Sequence, residues 1–435
     1  MIDAGGRAEV GGPEDDRRVL TTGRQIVVFA DGDEADAAAV PWSDAGLSSV
    51  ADSRDLGPDD VASALVDADA TFFAQLGIAV VTAEPRQLGV LQTAGSSARR
   101  VLSVSPELVH HVLTHDVVQY AQAYRDGVTD LAERVRQAGE HEQAPPAVPG
   151  FADTAAATWG IQATRALASS RSGRGIRVAV LDTGLDLAHP DFAGRSVTAR
   201  SFVPGEQAQD GHGHGTHCIG TSCGPRKPDS GPRYGIAYEA EIFAGKVLSN
   251  AGSGTDGGIL AGIDWAVANQ CHVLSMSLGA DVAQAHPPYS VAGQRALDRG
   301  SLIIAAAGNN ADRRVGKFGF VGAPANSPEI IAVGALEQNL RTAYFSARTL
   351  ADARGGQVDL AGPGFQVLSA WPMPARYKTI SGTSMATPHA AGVAALWAEA
   401  TGRRGRELWA TLCQESQRLV EPSLDVGSGL VIAPQ

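Results

Sequence analysis

From about residue 155 onward the chain carries short apolar runs with no polar alternation, at 176–181, 241–248, 272–278, 302–307 and 330–336. A strand with one wet face alternates apolar and polar residues; a run without alternation suits a strand buried on both faces. Segments of helical spacing lie between the runs, at 214–221, 256–270, 291–299 and 384–401. Buried strands interleaved with helices predict an α/β layer structure around a mostly parallel central sheet. There are no internal repeats.

At 435 residues the chain has room for that domain and a smaller one. Residues 1–23 are Gly, Asp, Glu and Arg with few large apolar groups, the composition of a disordered terminus. The segment 24–108 reads as a small α+β unit. Its strands are expected at 25–30, 78–81 and 100–104, and its helices at 62–76 and 85–93. In 109–154, helical spacing covers 117–138 and a Pro-containing linker covers 139–150. The α/β domain then occupies 155–435.

A net charge of −12 without a long Lys/Arg run argues against a nucleic-acid surface. No apolar stretch approaches the roughly 18 residues needed to cross a bilayer. Residues 1–20 are polar and acidic and lack the apolar region of a secretory signal. Four cysteines make no disulfide framework in a chain this long. These features point to the cytoplasm, or to export without a classical signal peptide.

Three separated segments carry a carboxylate, an imidazole and a hydroxyl. Asp182 ends an apolar run, in Asp182-Thr183-Gly184. His214 follows glycine-rich chain, in Gly213-His214-Gly215-Thr216-His217. Ser384 opens a helix, in Gly382-Thr383-Ser384-Met385-Ala386-Thr387-Pro388-His389. A serine hydroxyl attacks well only when a base takes its proton and a third group holds the base in the right tautomer. At a helix N-terminus, backbone N–H groups also favour developing negative charge. Asn309, at the end of the run Ala305-Ala306-Ala307-Gly308, offers an amide that fits the same purpose.

With these motifs, and with Ser275-Met276-Ser277-Leu278-Gly279 and Asp359-Leu360-Ala361-Gly362-Pro363-Gly364, the stretch from about Thr158 to Gly429 resembles the catalytic domain of subtilisin-like serine proteases. The resemblance implies a serine endopeptidase that acts on a peptide or protein substrate and needs no cofactor. Ser384 would be the nucleophile, His214 the general base and acid, Asp182 the orienting carboxylate and Asn309 the oxyanion donor. It implies a substrate pocket walled by Ser277, Leu278, Gly279, Ala306, Ala307 and Gly308, with Gly322 at its base. These are uncharged, so a neutral or apolar residue is expected before the cut. Gly252, Gly254 and Asp256 resemble the family's substrate-binding edge, where Asp256 would favour a basic residue further upstream. His212 would border the cleft. The unit from about Gln25 to Glu107 resembles the family's propeptides, which assist folding and occupy the cleft as an intramolecular inhibitor until cut. The missing signal and the long N-terminal unit favour a selective processing enzyme made as a proenzyme over a broad degrader, and the presence of all four chemical groups disfavours a catalytically silent binding module on the same fold.

Other readings account for fewer residues. Asp182-Thr183-Gly184 alone also fits an aspartic protease, but that chemistry needs a second carboxylate close by. His212, His214 and His217 suggest a metal cluster, yet no Cys or carboxylate pattern completes it; His217 reads better as a packed helix residue. The position of Asp191 is a calcium ligand in many relatives, but the loop 223–233 here is cationic, so no metal is expected. A Cys218–Cys223 bridge is not expected. No Gly-x-Ser-x-Gly elbow occurs.

Overall fold

The computed structural model describes residues 20–30, 40, 42–57, 60–94, 101–113, 150–351 and 355–435. The predicted helix at 117–138 and all but the last residue of the linker at 139–150 lie outside the described residues, as does the terminus before residue 20.

The apolar runs form the predicted sheet. Its strands are β6 (Arg177–Asp182), β7 (Val197–Ser201), β8 (Glu241–Lys246), β10 (Val273–Met276), β12 (Leu302–Ala306), β13 (Ile331–Leu336) and β14 (Val358–Pro363). They lie in the order β14-β13-β12-β10-β6-β8-β7, and every pairing is parallel. Alternate residues of β6 enter opposite cores. Val178 and Val180 pack with Ile219 and Met385, whereas Ala179 and Leu181 pack with Ile259 and Ile263. That two-sided burial is why the runs lack polar alternation. On the first face lie α3 (His214–Cys223) and α6 (Thr383–Thr401); on the second lie α4 (Asp256–Ala268) and α5 (Pro287–Asp298). Edge strand β7 is half exposed and polar, so it carries no apolar signature.

The upstream unit contains β1 (Thr21–Phe29), β2 (Val50–Asp52), α1 (Asp60–Asp67), β3 (Ala70–Phe73), β4 (Ile78–Val81), α2 (Pro85–Ala94) and β5 (Val101–Val112). The single helix expected over 62–76 is instead a helix, a turn and a strand. Ala70–Phe73 is fully buried and pairs antiparallel with β4, a tertiary contact that overrides local spacing. Strand β5 runs past the expected boundary at 108. Its first half pairs antiparallel with β1. Its second half lies between β9 (Ser253–Thr255) and β11 (Leu278–Gly279) of the larger domain, antiparallel to both.

One face of the small sheet packs on α4 and α5 through Ile26, Val28, Phe73 and Ile78. Polar anchors fix the rest. Arg295 of α5 donates to the carbonyls of Leu76 and Phe29, the latter at 2.6 Å. Glu107 accepts from the Gly257 N–H at the start of α4 at 2.9 Å, while Arg24 forks onto its two oxygens at 2.7 Å. A carboxylate at a helix N-terminus meets unpaired N–H groups and the positive end of the helix dipole.

Asp264 of α4 takes the Gln75 N–H at 2.7 Å. Burial pushes this carboxyl up to about 6, despite hydrogen bonds from Ser53, Gln75 and Leu76 that favour its charged form. The sign follows from linkage: a carboxyl raised above its unfolded value leaves folding unpenalised at low pH. It costs stability progressively as pH rises from about 4 through 6. In an uncut Ser384→Ala chain, the added substitution Asp264→Asn is therefore expected to raise the melting temperature increasingly between pH 4 and 7. A difference that stays flat with pH would refute this assignment.

Candidate active site

The C-terminal end of β6 carries Asp182, and the first residue of α3 is His214. Gly213 precedes it at φ +108°, where a Cβ would also meet Trp371 at 2.4 Å. Asp210 holds this turn together. Its carboxylate accepts from the N–H groups of Gly213 (2.8 Å) and Thr216 (2.9 Å) and from the hydroxyls of Thr183 (2.9 Å) and Thr216 (2.7 Å). It thus ties the helix start to the end of β6. His214 Nδ1 lies 2.7 Å from Asp182 Oδ1, and both side chains are fully buried. Because the Asp182 oxygen also accepts the Thr183 N–H at 2.7 Å, it is an acceptor, and Nδ1 carries the proton. In the neutral ring Nε2 is then the basic nitrogen, and it finds no partner among the described residues.

Burial opposes a charged ring, yet the Asp182 carboxylate outweighs it and holds His214 well above the ordinary histidine value. Cys218 sits one turn along α3, its sulfur 3.9 Å from His214 Nδ1. Burial pushes its thiol up, so it stays neutral beside the ring. Asp182, His214 and Cys218 bring possible ligand atoms within 4.8 Å of one another. A tetrahedral zinc would separate its nitrogen and oxygen ligands by about 3.4 Å. The 2.7 Å between His214 and Asp182 holds a proton instead. All four cysteines are free.

Ser384 lies in the first turn of α6. Four residues on, Pro388 has no N–H to give the Ser384 carbonyl. That carbonyl is taken instead by the Ser277 hydroxyl at 2.8 Å and the Cys218 thiol at 3.6 Å. The Ser384 hydroxyl donates to the Ser277 carbonyl at 3.0 Å. Asn309 Oδ1 accepts from Thr383 N–H (3.0 Å) and Oγ1 (2.9 Å), which fixes which end of the amide is which. Its Nδ2 donates to the carbonyl of Leu113 at 2.7 Å.

Leu113 is the residue just after β5, and the chain before it fills the cleft. Val112 lies opposite Leu278 and donates its N–H to the Gly252 carbonyl at 3.0 Å. His111 and His110 lie opposite Ser253 and Gly254. The Leu113 side chain lies over Gly279, where a Cβ would approach it to 3.0 Å. A Cβ on Gly252 would meet His212 at 3.1 Å and Val112 at 3.3 Å, so His212 borders the cleft beside Val112. Ala306, Ala307 and Gly308 continue from β12 toward Asn309, and Gly322 donates to the Ala307 carbonyl at 3.1 Å.

Asp256, which the sequence reading put on the substrate-binding edge, follows β9 directly. It is fully buried at the first position of α4. His110 Nε2 (2.6 Å) and Tyr289 Oη (2.7 Å) meet its Oδ1, and Leu108 N–H (2.6 Å) and His286 Nε2 (3.1 Å) meet its Oδ2. Burial alone would raise this carboxyl; the imidazoles of His110 and His286 outweigh it and hold it well below the usual carboxylate range. His217 is buried with Nε2 on the Val367 carbonyl at 3.0 Å. Asp191 is engaged by Tyr234 Oη (2.5 Å), Asp229 N–H (2.6 Å) and Tyr377 Oη (3.1 Å).

Reading the sequence alone missed Asp210, Glu107, His110, Leu113, His286 and Tyr289. Asp210 stands four places before His214 and had a local signal: an acid before a glycine-rich helix start. His110 and Asp256 are 146 residues apart, and nothing local links them.

Residues 173–427 match the model of the subtilase family. Over 242 residues the chain is 41% identical to M-protease of Shouchella clausii and to subtilisin Savinase of Lederbergia lenta, in each case over 55% of this chain. The match spans 58% of M-protease's own length and 82% of subtilisin Savinase. A cuticle-degrading protease of Metarhizium anisopliae is 31% identical over 370 residues, covering 77% of this chain and 88% of that protein. A 77% share cannot fit between residue 173 and the end of the chain, so that likeness reaches into the upstream region.

Proposed function

We propose, because this chain belongs to the subtilase family, that it is a serine endopeptidase made as a proenzyme, with its N-terminal unit as an intramolecular inhibitor. The observation that carries this reading is the Asn309 amide on the Leu113 carbonyl, with β5 lying in the cleft as an extended substrate. In this reading the Ser384 hydroxyl turns from the Ser277 carbonyl to His214 Nε2 and attacks the carbonyl carbon of Leu113. His214 takes the proton. Asn309 Nδ2 and the Ser384 N–H stabilise the oxyanion. Collapse breaks the bond to Thr114, whose nitrogen receives the proton from His214. Water, activated by the same base, then releases the acyl-enzyme. The residue before the cut is neutral and apolar, as Leu113 is above Gly279.

Intact-mass analysis tests the reading. The wild-type chain is expected to break between Leu113 and Thr114, and the Ser384→Ala chain to remain whole. Identical cleavage of both would overturn it. Asn309→Ala is expected to lower kcat about 100- to 1000-fold with KM little changed, the range seen when a subtilisin loses its oxyanion amide. An effect confined to KM would deny Asn309 that role.

We further propose a selective processing enzyme rather than a broad degrader, because the cleft contacts an extended strand on both edges and meets a buried carboxylate upstream. Comparable digestion of casein and unrelated unfolded proteins would count against this.

A further inference from the structure

Counting back from the carbonyl on Asn309, the residue in the fourth place before the cut is His110, and its side chain reaches Asp256. We infer that Asp256, with Tyr289 and His286, makes this protein select a histidine at the fourth position before the scissile bond. This rests on the reading of Asn309 and Ser384 given above.

Tyr289 and His286 belong to the larger domain, and their hydrogen bonds to Asp256 do not pass through the strand in the cleft. They satisfy part of the carboxylate. The rest is completed by the strand in the cleft, through one backbone N–H, that of Leu108, and one side chain, that of His110. The backbone donor comes with any extended peptide. The side-chain donor does not, so it is where sequence is read. An aliphatic or phenyl group in this place would bury one side of Asp256 Oδ1 without that donor, which is how a polar site rejects a ligand lacking its hydrogen bond.

The pocket also fits the ring. His110 is fully buried, and its ring meets Tyr289 edge to face at a centroid distance of 5.5 Å and 81°. Its Nε2 faces Asp256, and its Nδ1 makes no hydrogen bond among the described residues. A single donor is therefore used. A lysine ammonium would bring three into the same enclosed space, where, among the described residues, Asp256 and the Tyr289 hydroxyl are the hydrogen-bond partners of His110 Nε2. This narrows the basic preference expected from sequence to an imidazole.

Peptides covering 107–115, with His at 110 or with Phe, Lys or Ala there, are offered to the purified wild-type and Asp256→Asn proteins. The wild type is expected to cleave the His peptide with kcat/KM at least about tenfold above each of the others. In Asp256→Asn that ratio is expected to fall to within about threefold of one. A ratio near one in the wild type, a better Lys peptide, or a ratio that survives Asp256→Asn overturns the inference. A second readout does not depend on catalysis. In the uncut Ser384→Ala chain, His110→Ala and Asp256→Asn are each expected to lower the melting temperature, and the double variant no further than the larger single effect. Additive losses overturn the pairing. Failure of the wild type to cut any peptide, with the coupling intact, counts against Ser384 as nucleophile and leaves the pairing supported.

Discussion

Replacing Ser384 with Ala is expected to lower kcat about a million-fold, the size found for a subtilisin triad stripped of its nucleophile. It is also expected to leave the chain uncut. Several features of the site require an effect this large. In the proposed mechanism Ser384, in the first turn of α6, is the hydroxyl that turns from the Ser277 carbonyl to His214. Its neighbour Ser277 is turned the other way, its hydroxyl spent on the Ser384 carbonyl. Thr383 is spent on Asn309. Neither can take over the attack without dismantling what positions it. Residual turnover, well above the uncatalysed rate, should remain, because Asn309 and the cleft strands still bind the carbonyl and hold it in place. Measuring kcat on a leucine peptide, with the N-terminal unit first cut away by an added protease and removed, checks the size of the loss and the residual turnover. A loss below about a thousandfold would mean that another group does the chemistry.

Asp182→Asn is expected to lower kcat about ten-thousand-fold while leaving the fold intact. The geometry gives the reason. Asp182 Oδ1 accepts from both the Thr183 N–H and the His214 ring. An asparagine that keeps its oxygen in the Oδ1 place still accepts from both, so what it loses is the negative charge that stabilises the His214 imidazolium. The pH profile supplies a second check. The Asp182 charge is what holds His214 well above the ordinary histidine value against burial. The remaining activity of Asp182→Asn should therefore lose its acid limb at a lower pH than the wild type does. An unchanged limb would show that Asp182 does not set the charge of His214.

The parallel sheet was legible because its central strands are buried on both faces, which leaves runs such as Val178 to Leu181 without polar residues. The edge strand Val197–Ser201 was not, because solvent on one side lets it be polar. Ala70–Phe73 was mistaken for the end of a helix because short apolar runs fit either period; pairing with Ile78–Val81 decided it. At the site, Asp182, His214, Ser384 and Asn309 each stand at the end or start of an element with its own local pattern, and each was found from that pattern. The side chains that Asp256 gathers have no such pattern. A buried carboxylate collects donors from wherever the chain folds past it, here from β5, from α5 and from the turn before α5.

The layer architecture and the chemical groups were legible along the chain, since periodicity and residue type follow from local burial and reactivity. Folding brought the Leu113 carbonyl to Asn309 and His110 to Asp256, because β5 spans two sheets at once. Its first half is held by β1 and its second by β9 and β11, and pairing across such distances leaves no mark on the spacing of residues along the chain.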